Sequence, residues 1–167
     1  VIIANSKDIT IYKDIILKTI CSDYELIRLI DTDYVNVPNK IVIHPEELIH
    51  KKIFPYYYNP STISEVISYI MIKVDIIKSK GELIKEMLIN ITSVSNQSIM
   101  KVPFGFGTRI DQMGGCVDRL FNASDKLGFG YLELVSSREW NIDDKHRGRE
   151  LTFKVDEFNI SRCNNER

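Results

Sequence analysis

Ile63–Lys78 reads ISEVISYIMIKVDIIK, and this stretch decides the fold. At its centre Ile70, Ile72, Val74 and Ile76 alternate with Tyr69, Met71, Lys73 and Asp75. A period of two places these sets on opposite faces of a pleated strand, and the aliphatic set marks the one buried face. After the turn SKGE, a second strand is expected over Ile84–Ser95. From Ile63 to Ile160 the pattern runs strand, strand, helix, strand, strand. The fold class expected is α+β: an antiparallel-rich sheet of about four strands, near 67–78, 84–96, 129–137 and 149–158, with one main helix packed on a face.

That helix is expected over 108–124. Thr108 and Asp111 make a capping pair in TRID. Ile110, Met113, Val117, Leu120 and Phe121 then share one face, while Arg109, Asp111, Asp118 and Arg119 lie largely on the other. Gly114 and Gly115 interrupt the run at a cost of about 1 kcal/mol each against Ala, and suggest a bend or the close approach of a strand. The last two strands, FGYLELVSS and GRELTFKVDEF, alternate cleanly; Leu151, Phe153 and Val155 share a face. The polar segment SREWNIDDKHRG between them reads as a loop of about eleven residues, well beyond a simple hairpin turn.

The chain divides into N-terminal helices and an extended arm (1–62), an α+β core (63–160) and a polar tail (161–167). Ile9, Tyr12, Ile16 and Ile20 recur at helical spacing, and Ser22 opens a second helix as SDYE, a capping box with Glu25. Pro38, Pro45, Pro55 and Pro60 then break any long element. KIVIH reads as a short strand and PEELIHKK as a helical turn or two with Pro45 first. In KIFPYYYNPST, Tyr56, Tyr57 and Tyr58 cannot all face one core. With Phe54 they are candidate contacts to a neighbouring subunit or partner, because tyrosine joins large apolar area to a polar handle. The competing reading is a strap over the chain's own core.

Composition excludes several classes. Twenty-two basic residues stand against twenty-three acidic ones, a net charge of -1, whereas a dedicated duplex-binding domain shows a basic excess. Cys21, Cys116 and Cys163 are odd in number with no CxxC spacing, which reads as reduced thiols. No apolar run reaches a membrane-spanning length, and the opening VIIANSKD does not read as a secretory leader.

Candidate chemistry is thin. Asp143, Asp144 and His146 are the nearest thing to a metal cluster, but neighbours on one loop read more simply as solvated. His44 and His50 lack the i, i+4 spacing of a helical zinc pair. FGFG and GFGY are too short and aromatic for a phosphate cradle, and no G-x-S-x-G elbow occurs. Glu150 and Lys154 lie four apart, the wrong spacing for a metal-dependent nuclease. No catalytic residue, cofactor or metal is therefore expected, and the chain reads as a non-enzyme. The DNA-binding alternative is a winged helix with 108–124 as recognition helix and Arg138, Lys145, Arg147 and Arg149 on a basic wing. Two strong strand patterns precede that helix, where a winged helix has helices.

The order of elements and four stretches resemble the tail-terminator and tail-completion proteins of tailed bacteriophages. These are KKIFPYYYNPSTISEVISYIMIKVDI, MLINITSVSNQSIMKV, GTRIDQMGGCVDRLFNAS and FGYLELVSSREWNIDDKHRGRELTFKVDEF, together Lys51 to Phe158. The resemblance implies a structural virion protein that forms a ring, commonly a hexamer, at the head–tail junction. It also implies loops and arms that meet neighbouring subunits, the tail tube and neck or connector proteins. DNA would pass transiently through the lumen without base readout, and no membrane would be involved. Phe54, Tyr56, Tyr57, Tyr58, Arg138, Trp140, Lys145, Arg147 and Arg149 are then the candidate partner contacts.

Overall fold

The computed structural model describes residues 6–31, 44–60, 65–81, 83–102 and 105–158. The KIVIH strand up to residue 43, the tail from Ser161 and Cys163 lie outside the described residues. Helices α1 (Lys7–Cys21) and α2 (Tyr24–Ile30) are followed by a 3-10 turn at Pro45–Leu48 and the two-residue strand β1 (Ile53–Phe54). Strands β2 (Ser68–Lys80) and β3 (Ile84–Asn96), helix α3 (Arg109–Phe121), and strands β4 (Phe129–Asn141) and β5 (His146–Phe158) complete the order. The five strands form one sheet in the order β1-β2-β3-β5-β4. Of these strands β1 and β2 pair in parallel, while β2–β3, β3–β5 and β5–β4 are antiparallel. The fold is α+β, as the alternation indicated, with a fifth strand contributed by the arm.

Local chemistry explains most boundaries. The Thr108 hydroxyl accepts from the Asp111 amide, and the Asp111 carboxylate accepts from the Thr108 amide, closing the capping box of α3. For α2 the cap is Asp23 rather than Ser22: its carboxylate accepts from the Leu26 amide at 2.8 Å. Asp23 is extended and aims its side chain down the helix, while Ser22 donates back to the Thr19 carbonyl at 2.8 Å. Pro45 opens its turn, where its missing N–H has no partner to lose.

The three helices lie on one face of the sheet. Ile16, Ile20, Leu26 and Leu29 meet Ile70, Ile72, Ile89 and Ile91 there, and α3 adds Met113, Val117 and Phe121 against Leu151 and Phe153. Each such side chain, fully buried, contributes about 1.5–3 kcal/mol. The helix runs unbroken through Gly114 and Gly115. A Cβ on Gly114 would stand 2.9 Å from Arg149 Cδ, so this glycine lets α3 approach β5; Gly115 meets nothing within 4 Å.

Three buried polar side chains tie distant parts of the chain together. Lys85, wholly enclosed on β3, pairs with Asp8 in the first turn of α1. Arg109 is buried instead of facing solvent, because its guanidinium donates to the carbonyls of Ile99 at 2.7 Å and Leu29 at 2.8 Å. Burial lowers its pKa. His146, expected on a solvated loop, is buried at the start of β5. Its Nδ1 lies 2.8 Å from Asp143 and its Nε2 lies 2.8 Å from the Glu65 carbonyl.

Two further expectations are corrected. The second face of β2 is not wholly solvated: Tyr69 and Met71 are buried there with Phe54 and Val94. The arm supplies the cover, because β1 docks with Ile53 opposite Ile70 and Phe54 opposite Met71. The long loop between the last two strands does not exist. β4 continues to Asn141 and β5 begins at His146, so Arg138 pairs with Glu150 and Trp140 with Gly148. A strand at the sheet edge, and the exposed side of its neighbour, carry charges at little cost, which is why the charged segment read as loop.

Candidate partner-binding face

The face of the sheet away from the helices is covered at one end and open beyond it. Phe54 and Tyr58 stack at 3.9 Å, and Tyr69 stands edge-on to both rings. Phe54 is buried and Tyr58 partly so; burial, and then the Glu65 carboxylate, push the Tyr58 hydroxyl up. Both readings of the arm therefore apply, to different residues. Phe54 and Tyr58 strap the chain's own sheet, while Tyr56 and Tyr57 stay exposed, Tyr56 stacked on His50 at 5.8 Å.

Tyr57 reaches across to Trp140 on β4, with ring centroids 5.8 Å apart. Together they wall a groove of about 330 Å³ lined also by Met71, Lys73, Asn90, Thr92 and Glu150. Register explains the convergence. Met71, Thr92 and Glu150 lie in one row across β2, β3 and β5, and Arg138 extends the row onto β4. The groove is thus half aromatic and thioether, half polar, with Lys73 held by Asp75 at 2.9 Å and Arg138 exposed at its side. Such a mixture suits recognition of a protein surface.

The four basic candidates do not act as one patch. Arg138 is exposed on the groove side. Arg149 faces the helices and grips Asp111, Nη2 to carboxylate 2.6 Å. Arg147 donates to the carbonyls of Asp143, at 2.6 Å, and His146, at 3.2 Å. Lys145 is exposed in the turn. On α3, Arg119 is tied to Asp23 at 2.9 Å and Glu25 at 3.0 Å. A helix whose apolar face is sunk in the sheet, whose Arg109 is spent on backbone carbonyls and whose Arg119 answers carboxylates offers little to phosphates.

Asp143 and His146 do meet, but as a structural pair. Partial burial raises the Asp143 carboxyl, and the amides of Lys145 and His146 with the His146 ring outweigh this and lower it. Among the described residues no group of three or more His, Cys, Asp and Glu side chains converges as a metal would require. No helix among them is long and apolar enough to cross a membrane.

One residue escaped the sequence reading. Phe106 is 98% exposed between Gly105 and Gly107, both at φ near +80°. Gln112 on α3 holds the loop by donating to the Phe106 carbonyl at 3.2 Å, and Asp111 and Thr108 fix its far end. The ring is displayed on a braced backbone. The signal was in the sequence: an aromatic between two glycines immediately before a helix cap.

Comparison with known proteins adds one finding. The YomW family model matches residues 23–155, from the cap of α2 to within β5. The match covers most of the chain, which therefore belongs to the YomW family, a family whose name is phage-derived. No curated protein matches the chain.

Proposed function

From membership of that phage-associated family, we propose that the chain is a structural virion protein at the head–tail junction. It forms a ring there, as a tail terminator or tail-completion protein, with a hexamer as the expected assembly, and contacts the tail tube and neck proteins. The observation that carries this reading is the groove walled by Tyr57 and Trp140 on the sheet face that the helices leave open. Aromatic anchors of this kind dominate the energy of protein interfaces. The chain does no chemistry in this reading. DNA passes through the lumen, and a chain of net charge -1 lets it pass without tight phosphate binding. The ion pairs of Arg149 and Arg119 speak against the winged-helix alternative.

Disruption of the gene in the phage that carries it tests the assignment. The expected result is an accumulation of DNA-filled heads and separate, finished tails, with joining restored when the chain is supplied in trans. Normal yields of complete, infectious particles without the chain would refute it.

A further inference from the structure

The geometry points to a proton-operated clasp at one end of the sheet. His146, with a proton on each ring nitrogen, ties the lead-in of β2 to the turn between β4 and β5; loss of one proton unties it. The inference is independent of the ring reading. The His146 side chain is wholly buried. Its Nδ1 lies 2.8 Å from Asp143 Oδ2 and its Nε2 lies 2.8 Å from the Glu65 carbonyl oxygen. A carbonyl oxygen only accepts, and so does an ionised carboxylate. A neutral imidazole has one N–H and one lone pair, so it bonds one of these oxygens and turns a lone pair on the other. Both contacts are hydrogen bonds only when the ring carries both protons. Asp143 is prepared for that cation, since its Oδ1 also accepts from the amides of Lys145 and His146, each at 2.8 Å. Burial raises the Asp143 carboxyl, but these bonds outweigh it and keep the group ionised, which leaves the shared proton on the ring.

One proton governs two hydrogen bonds here. The Glu65 carbonyl accepts from His146 Nε2 and, at 3.0 Å, from Asn96 Nδ2 on β3. The same Asn96 nitrogen stands 3.4 Å from His146 Nε2. Ser98 fixes the orientation of that amide, since its N–H at 3.0 Å and its hydroxyl at 2.9 Å both donate to Asn96 Oδ1. Once Nε2 gives up its proton, its lone pair faces the Glu65 oxygen and offers Asn96 a new acceptor. The carbonyl then loses both donors in a single step. The closed form is the protonated one, so the clasp is complete in acid and is lost as pH rises. The other charges near the ring are accounted for. Arg147 donates to the carbonyls of Asp143 and His146, and Asp144 and Lys145 are exposed on the turn. From β3 the ring meets the uncharged amide of Asn96, and from the lead-in it meets Glu65, whose carboxylate bears on the Tyr58 and Tyr69 hydroxyls.

What the clasp holds in place is the strap. Ile67 of the lead-in and Ile142 of the turn both pack on the cluster of Phe54, Tyr69, Met71 and Val94, and so does Tyr58. The Ile67 carbonyl accepts from the Asn96 amide at 3.0 Å, which couples the lead-in to β3 beside the clasp. Tyr57, next to Tyr58 in the chain, is one wall of the groove. Release of Glu65 therefore loosens the support under that wall, and the protonation of His146 sets how firmly the open face is held. A buried histidine against a carboxylate is the usual element of such proton-dependent switches.

Nuclear magnetic resonance of the full chain, titrated from about pH 5 to about pH 8, tests the clasp. Long-range proton–nitrogen spectra read the protonation of each His146 nitrogen, and amide spectra read residues 65–68, Tyr58 and the Asn96 side chain. The expected result is a doubly protonated ring at the acid end that loses its Nε2 proton as pH rises. The amide signals should move with the same midpoint as the ring. His146→Gln, which does not titrate, should lose that movement, while His44→Gln and His50→Gln should keep it. A ring that titrates while those signals stay fixed would overturn the clasp, as would a ring that stays in one protonation state across the range. If His146→Gln misfolds, Asp143→Asn takes its place. Without the carboxylate the ring should give up its second proton at lower pH and the amide signals should follow it, and an unchanged midpoint in those signals would overturn the clasp as well.

Discussion

Asp8→Ala strips the carboxylate from Lys85, whose side chain is wholly enclosed between α1 and the sheet. Asp8 itself is 9% exposed at the side chain, so water screens the pair little. Two smaller effects oppose each other: Ala raises helix propensity by a few tenths of a kcal/mol, and loss of an acid from the first turn costs about 0.3–1 kcal/mol. The decisive effect is the buried ammonium left without that carboxylate, which costs about 3–5 kcal/mol. Against a domain stability of about 5–15 kcal/mol this is a large fraction. It corresponds to roughly 1–3 M in the urea midpoint at a slope near 2 kcal/mol/M, or a melting point lower by roughly 6–20 °C. Urea unfolding followed by far-UV circular dichroism reads it directly. The double replacement Asp8→Leu, Lys85→Met removes both charges and should recover most of the loss, since well-packed apolar replacements of a buried pair are neutral or stabilising. Asp8→Ala within about 0.5 kcal/mol of wild type, the usual span of a neutral surface change, would show that Lys85 does not depend on Asp8 and that α1 is not held to the sheet by this pair.

Other changes have defined signs. Partial burial raises the Asp111 carboxyl, but its bonds from Thr108 and the Arg149 guanidinium outweigh this and hold it below the ordinary carboxylate value. A depressed folded pKa means its stabilisation is complete above pH about 4 and is lost as pH falls through the folded value; thermal melts should show Asp111→Asn less stable than wild type at pH 7, with the gap closing in acid. Gly115→Ala should raise stability by about 0.4–1 kcal/mol, since its Cβ meets nothing, while Gly114→Ala should lower it by displacing Arg149; paired chemical denaturation curves with shifts in the same direction would contradict the packing of α3 on β5. Burial, and then Glu25 and Asp23, push the Cys116 thiol up to about 11, so at pH 8 iodoacetamide should label it slowly in the native chain and quickly once unfolded, as read by peptide mass.

What the sequence showed and hid follows from range. The alternation through Tyr69–Ile76 and Leu151–Val155, and the Thr108–Asp111 cap, are local signals, and the elements they mark formed where expected. Arg109 and His146 read as surface residues because their partners lie 80 and 81 positions away, and the pairing of Lys85 with Asp8 spans 77 positions that no local pattern bridges. The segment from Arg138 to Arg149 hid two strand ends, because charges on an edge strand mimic a loop. Of the site residues, the run Tyr56–Tyr58 showed that at least one of the three tyrosines is exposed, whereas Trp140 was singled out only through a loop that is in fact strand. The convergence of Tyr57 and Trp140 was not legible, since it depends on β1 pairing with β2 and on β5 lying between β3 and β4. Phe106 was passed over because its glycines were weighed only as a phosphate cradle, whereas they present the ring to solvent.

Electron cryo-microscopy of the intact phage particle tests the head–tail assignment most directly. The expected image is a closed ring between head and tail into which this five-stranded sheet fits, with the Tyr57–Trp140 face of each copy against a neighbour or an adjoining ring. A complete particle whose junction contains no density for the chain would contradict it.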